Sequence, residues 1–292
     1  MNTDLTEEQI KKILQGISIP PQPQVMVDLQ MEQLNPSCSI EEIARLISQD
    51  VGLSGSILKT VNSPFLKHAN TITSIAQAVN LLGTKTVVNL VNAHSIRGAL
   101  SDEDIIAFGK FWDTAMEIAM ASAFIAKQIG FPNHDESYTL GLFHNAAIPL
   151  LMSRFPHYAE VQRRSYAAVD RPITDIENEE IFTNHAVVGY YIAKSWNLPY
   201  YLCEAIHQHH HINKAFNDGK ADSRKKTLLA ILKMAEHCCG CYRIFGDQAV
   251  DNEWNAIGDT ILIYCGLTPY DFDTVKEQVA ELGLGSGHLY SI

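Results

Sequence analysis

The chain has 292 residues, 46% of them hydrophobic, and a net charge of -11. That is enough apolar material for one large domain or two ordinary ones, and the acidic balance argues against a general nucleic-acid binder, which needs a basic stripe to displace counterions. No apolar run approaches the ~20 residues of a membrane span, MNTDLTEEQIKKIL is too polar for a signal peptide, and six cysteines, three within CCGC, do not make a secreted disulfide framework. We therefore expect a soluble, cytoplasmic chain with reduced thiols and no membrane or nucleic-acid partner.

Apolar residues three and four apart fill nearly every segment, and convincing strand alternation is absent, which predicts an all-α fold. Thr6 with Gln9 forms a capping box for a first helix that Gly16 closes, ahead of the stiff PPQP at 20–23. VMVDLQMEQL makes a second helix, stopped at Asn35 and Pro36. Ser39 with Glu42 opens a third through IEEIARLIS, and LSGSILKTVN makes a fourth that reaches Ser63 and Pro64. Asp50, Asn62 and Ser63 read as capping and hydrogen-bonding residues. A helix from Ser74 to Gly83 and another from Thr84 to Leu100 complete this half.

Ser101 and Asp104 begin the longest apolar helix, which ends at Gly130 with Pro132 beyond it. Its apolar coverage is too wide for one face, so it should be buried on more than one side. A helix over 136–152 carries GLFHNAAIPLL, with a kink expected at Pro149. Further helices are expected over 156–168, 173–181, 183–196, 199–211, 224–245, 253–264 and 270–282, and the closing GLGSGHLYSI reads as loosely ordered. SRKK at 223–226 reads as a solvated helix start rather than a phosphate cradle.

Within GLFHNAAIPLL the one polar interruption is the pair His144 and Asn145. A His followed by an Asp would supply the imidazole nitrogen and carboxylate oxygen that a divalent cation takes; here the second residue is an amide. Four of the twelve histidines fall in HQHHH at 207–211. On an unbroken helix His207 shares a face with His210 and His211 while His209 points elsewhere, and spacing alone favours an exposed polar helix end. His144 and His185, each taken singly, read as hydrogen-bonded core histidines; three clusters on three helices together point toward a metal site. Carboxylates to accompany them are scarce. Glu236, in LLAILKMAEHCCG, is the nearest, with a solvent-facing role equally open. Walker, GxGxxG and GxSxG patterns are absent, and the CxxC of Cys238 and Cys241 lacks the strand context of a redox site.

PPQPQV, LISQDVGLSGSILKTVNS, SIAQAVNLLG, FW with its long helix, GLFHNAAIPLL, NHAVVG with WNLP, and AIHQHH follow one another in an order that resembles the HDOD family, the HD-related output domain. The resemblance implies a multi-helical HD-like domain preceded by an N-terminal helical layer. It divides the chain into an N-terminal helix over 1–17, an HDOD domain over 18–245 with its helical layer at about 18–100 and HD-like half at about 101–245, and a C-terminal helical extension over 246–292. In the wider HD superfamily, metal-dependent phosphohydrolases use a leading His, a His-Asp doublet, further histidines and a final Asp. Carried over, the leading His falls near Thr114, the doublet on His144 and Asn145, the extra histidines on His185 and on His209 or His210, and the final Asp on Glu236. The Lys that follows the doublet in active relatives is missing from Ala146, Ala147 and Ile148, and YYIAKSWNLP lacks the GYP of the cyclic-dinucleotide phosphodiesterase branch. The resemblance thus implies a bacterial signal-transduction or scaffold module that works with other signalling proteins, with a degenerate metal site, no catalysis and no cofactor. The alternative is a metal-dependent phosphohydrolase acting on a nucleotide or other phosphate ester, with a divalent transition metal at that remnant site.

Overall fold

Caps and breakers in the sequence set most of the helix ends in the computed structural model, which describes residues 7–17, 19, 24–49, 51–62, 66, 71–97, 109–217 and 222–285. Thr6, PPQP, Asp50, Ser63, Pro64, Leu100, Ser101, Asp104 and the tail beyond Gly285 lie outside the described residues. The fold is all-α, with no strand among the described residues, and among them no helix is long and apolar enough to cross a membrane.

The chain divides into two compact units, one of Pro20–Ile105 and one of Met1–Ile19 with Ile106–Ile292. In the larger, α1 is Glu7–Ile13. The smaller unit holds α2 (Gln24–Leu34), α3 (Ile40–Ile47), α4 (Val51–Val61), α5 (Ile75–Leu82) and α6 (Thr84–Arg97). Ser39 caps α3 by accepting from the Glu42 N–H at 3.1 Å, as the sequence predicts. Met26, Leu29, Ile43, Ile47, Leu53, Ile57, Val61, Val79, Val87 and Leu90 form its core, with α5 packed on both α3 and α4. The Asn62 side chain holds the next loop by exchanging two hydrogen bonds with the Ile72 backbone, each 2.7 Å.

The larger unit continues with α7 (Gly109–Gln128), α8 (His134–Phe143), α9 (Ile148–Arg154), α10 (Tyr158–Ala167), α11 (Ile173–Ile181), α12 (His185–Ser195) and α13 (Tyr200–Gln208). It closes with α14 (Ile212–Asn217), α15 (Ser223–Cys239), α16 (Cys241–Ile244), α17 (Asn252–Cys265) and α18 (Pro269–Glu281). The antiparallel pair α7 and α8 forms its spine, and α15 lies across both. Gly141 makes the crossing possible, because a Cβ there would sit 2.8 Å from the Ala119 Cα. With α7, α8, α13, α17 and α18 around it, α15 is buried from Leu228 through Glu236, which is why its apolar residues run round the whole helix.

Three helix ends differ from the sequence expectation, and all three bear on the site. The single helix expected over 136–152 is two: α8 ends at Phe143, residues 144–147 form a turn, and Pro149 sits in the first turn of α9, where its missing N–H costs no hydrogen bond. The helix expected to reach 211 ends at Gln208. The one expected over 224–245 breaks at Gly240, whose φ of +71° lets the chain leave α15.

Candidate metal centre

Those breaks aim the histidines. His185 opens α12 immediately after Asn184, whose side chain caps the helix by accepting from the Val187 N–H at 2.8 Å. His209 and His210 follow the last residue of α13 in a turn, so both point inward, 0% and 4% exposed. This corrects the helical-face expectation: His207, placed there with His210 and His211, is exposed, and His211 instead faces Thr174. The exposed helix end favoured from spacing alone is thus a buried turn.

Each buried imidazole has an acceptor at Nδ1. His185 Nδ1 donates to the Glu177 carboxylate at 2.8 and 2.9 Å, and the His185 backbone N–H donates to Glu177 Oε2 at 2.9 Å. His209 Nδ1 donates to the Ile206 carbonyl at 2.6 Å, and His210 Nδ1 to Glu253 Oε1 at 2.8 Å. These partners assign the proton to Nδ1 and leave Nε2 as a lone pair. The three lone pairs converge: His185 Nε2 is 3.2 Å from His209 Nε2 and 3.0 Å from His210 Nε2. Lone pairs facing one another repel, so the cluster calls for a shared proton or a cation between them. Burial, followed by neighbouring cationic groups, holds His209 and His210 well below the ordinary histidine range, which favours the neutral form that a metal requires.

The donor set fits a transition metal. Ligand atoms of His185, His209 and His210 all lie within 4.8 Å of one another. Tetrahedral coordination at about 2.0–2.1 Å sets nitrogens roughly 3.3 Å apart, close to the two separations measured from His185 Nε2. Outer-shell carboxylates on His185 and His210 and a carbonyl on His209 orient the rings as metal-binding histidines need.

His144 is the fourth buried histidine. Its Nδ1 donates to the Gly141 carbonyl at 2.7 Å, its ring meets that of His209 edge-on at 5.3 Å, and Nε2 lies 3.3 Å from Glu236 Oε1. Asn145 is 1% exposed with neither amide atom hydrogen-bonded. Thr114 is buried on α7, where the resemblance implies that metal-binding relatives have a histidine.

Glu236 is a buried member of the centre, not a residue of the solvent face. Its Oε2 lies 2.8 Å from Lys233 Nζ, and Lys233 Nζ also donates to Glu253 Oε2 at 2.9 Å. Burial alone would raise the Glu236 pKa; the Lys233 charge, followed by His144, overrides it and holds the carboxyl at about 2. Burial likewise opposes the Lys233 charge, and Glu236 and Glu253 reverse that effect, raising its pKa above the ordinary lysine value. Glu177 follows the same pattern: burial raises it, and His185, Tyr158 and the backbone together leave it lowered.

Sequence reading missed Glu177, Tyr158, Lys233 and Glu253. Tyr158 donates to Glu177 Oε1 at 2.6 Å, and Glu253 comes from α17. One signal was available: Lys233 and Glu236, three apart on an otherwise apolar helix, are an ion pair that burial requires. A cavity of about 320 Å³ reaches this region, with His210 and Glu253 in its wall. Tyr166, also in the wall, has a buried hydroxyl without a partner. All six cysteines are free, and burial pushes the buried Cys239 and Cys241 thiols well above their usual range.

The sequence matches the HDOD domain over residues 19–212. An uncharacterized protein of Treponema pallidum (strain Nichols) is 28% identical over 206 residues, 69% of this chain and 39% of its own length; the chain spans well under half of that relative. Among solved structures, a candidate phosphohydrolase of Shewanella amazonensis SB2B is similar with a TM-score of 0.65 and 23% identity, covering 94% of this chain and 95% of that one. An HDOD domain protein of unknown function from Geobacter sulfurreducens gives 0.63 and 19%, over 94% and 99%. A candidate signal-transduction protein of Marinobacter aquaeolei VT8 gives 0.63 and 19%, over 92% and 58%. These likenesses concern the fold, and the domain match covers most of the chain, including His144, Asn145, His185, His209 and His210: the chain belongs to the HDOD family.

Proposed function

We propose that this chain is a bacterial, cytoplasmic signal-transduction or scaffold module that binds other signalling proteins and does not catalyse a reaction. One observation carries the reading: every carboxylate touching the buried histidines already has a partner. Glu177 is held by His185 and Tyr158, Glu236 by Lys233, and Glu253 by His210 and Lys233. A hydrolytic centre needs a carboxylate or its equivalent to bridge metals or take a proton from water, and the doublet position that would supply one is the uncharged Asn145. Membership of a family of output domains supports the signalling side. The histidine triad would hold a single divalent transition metal, whose contribution when bound is Lewis acidity toward an oxygen ligand. The chain's residues orient the rings and neutralise charge.

A second reading rests on the convergent Nε2 atoms of His185, His209 and His210, a donor set that also serves metal-dependent phosphohydrolases acting on a nucleotide or another phosphate ester. The test is a tag-free preparation, metal analysis after chelator dialysis, and a phosphatase and phosphodiesterase panel with and without added zinc, manganese and nickel. We expect no turnover in any state. Turnover that follows metal content and disappears in His144→Ala would overturn the module reading in favour of the hydrolase.

A further inference from the structure

A lysine ammonium with 3% exposure of its side chain is costly unless opposite charge surrounds it. Lys233 Nζ has that surround in two carboxylates, Glu236 Oε2 at 2.8 Å and Glu253 Oε2 at 2.9 Å. The same Glu236 reaches His144 Nε2 at 3.3 Å through its other oxygen, and the adjacent Asn145 has two buried amide atoms with no hydrogen-bond partner. A carboxylate and an imidazole lone pair are ligands for a cation, and they lie next to the triad, since the His144 and His209 rings are in contact. The cation that Glu236 faces is the chain's own ammonium.

We propose that the Lys233 ammonium stands in the place of a second metal ion, so that the centre takes one metal at His185, His209 and His210, and loss of the ammonium opens a second cation site on Glu236 and Glu253, the two carboxylates it now bridges. This inference rests on the triad binding a metal. Charge supports it independently: Glu177, Glu236 and Glu253 bring three negative charges and Lys233 one positive. With the imidazoles neutral, as ligands are, one divalent ion brings the cluster to neutrality, and a second beside Lys233 would leave two uncompensated positive charges in a buried site. Replacing Lys233 by a neutral side chain takes away the cation shared by Glu236 and Glu253 and leaves the one-metal cluster with one uncompensated negative charge, which a second cation would offset.

The test is cobalt stoichiometry, read by elemental analysis after dialysis and by the visible cobalt absorption. The full-length chain should bind about one equivalent, Lys233→Met about two, and Lys233→Met with Glu236→Gln about one again. Lys233→Met that folds and binds no more than the parent overturns the proposal, as does a parent that binds about two. A parent that binds none refutes the triad instead. In that case one cobalt in Lys233→Met, lost with Glu236→Gln, still upholds the role of the ammonium, and none overturns it. If Lys233→Met does not fold alone, cobalt is added while helical circular dichroism is followed. Recovery that saturates near two equivalents supports the proposal, and absence of recovery overturns it.

Discussion

Glu177 positions the ring of His185. Two contacts to the ring nitrogen, one to the His185 backbone N–H and one from Tyr158 fix the tautomer and the ring plane together, so Nε2 has one direction to point. Glu177→Gln keeps an acceptor but removes the charge, and should weaken cobalt or zinc binding about 10–100-fold. Competition against a chromophoric chelator measures this, and an unchanged affinity would show that His185 needs no carboxylate. The buried histidines also set a pH dependence. His209 and His210 have pKa values below the free value, so the unfolded chain takes up protons near pH 6.5 while the folded chain resists them. Their contribution is complete above that pH and is lost as pH falls below it. The urea midpoint of metal-free protein should therefore drop between pH 7.5 and pH 5.5; equal midpoints would mean that the two rings stay as protonatable as in the unfolded chain. Glu236, held at about 2, acts in a lower window: its contribution is present above the unfolded value near 4.3 and is lost as pH falls toward about 2.

Helix ends decide what the residues can reach. The turn at 144–147 lets His144 and Asn145 sit between α8 and α9, and the stop at Gln208 turns His209 and His210 in together. Periodicity and caps made the helices legible: Ser39, Ser74 and Gly83 act where the sequence places them. The two stops that build the site carry no glycine, and a chain with only helical spacing to go on continues the helix through them. The acidic and phenolic partners were illegible for a related reason. Glu177 lies eight residues before His185 and Glu253 forty-three after His210, so only tertiary packing pairs them. Packing also sets the next prediction. Gly141→Val drives a side chain into the Ala119 backbone, with the first added carbon already 2.8 Å from its Cα, and should cost roughly 1–3 kcal/mol by urea unfolding. Gly55→Ala, exposed on α4 with nothing within 4 Å of the new carbon, should stabilise by about 0.4–1 kcal/mol. If both substitutions shift the midpoint alike, the close approach of α7 and α8 is not what Gly141 serves.

At the scale of the whole molecule, the boundary of family likeness and the boundary of folding differ. The HDOD match stops at residue 212, yet Lys233, Glu236 and Glu253 all lie beyond it, and the compact unit that contains the centre extends through the C-terminal helices. Helices α17 and α18 bury Ile257, Ile261, Leu262, Phe272, Val275 and Val279, and Trp254 stacks on His237 of α15 with ring centroids 4.7 Å apart. Each such aliphatic or aromatic side chain is worth about 1.5–3 kcal/mol when fully buried, and a whole domain is stable by only about 5–15 kcal/mol. Ordering two helices offsets part of that gain, but the part that remains is comparable to the entire stability. The sequence reading treats 246–292 as an extension of a domain that ends near Phe245. On the energetics, a chain cut after Phe245 should not keep the fold of its larger unit: it leaves the apolar face of α15 uncovered and Lys233 with one carboxylate in place of two. We expect such a chain to keep much of its helical circular dichroism, bind a hydrophobic dye strongly, unfold without a sharp urea transition and fail to retain cobalt through dialysis. A sharp transition with the full-length midpoint would make the last two helices dispensable, and the contacts of Glu253 with them.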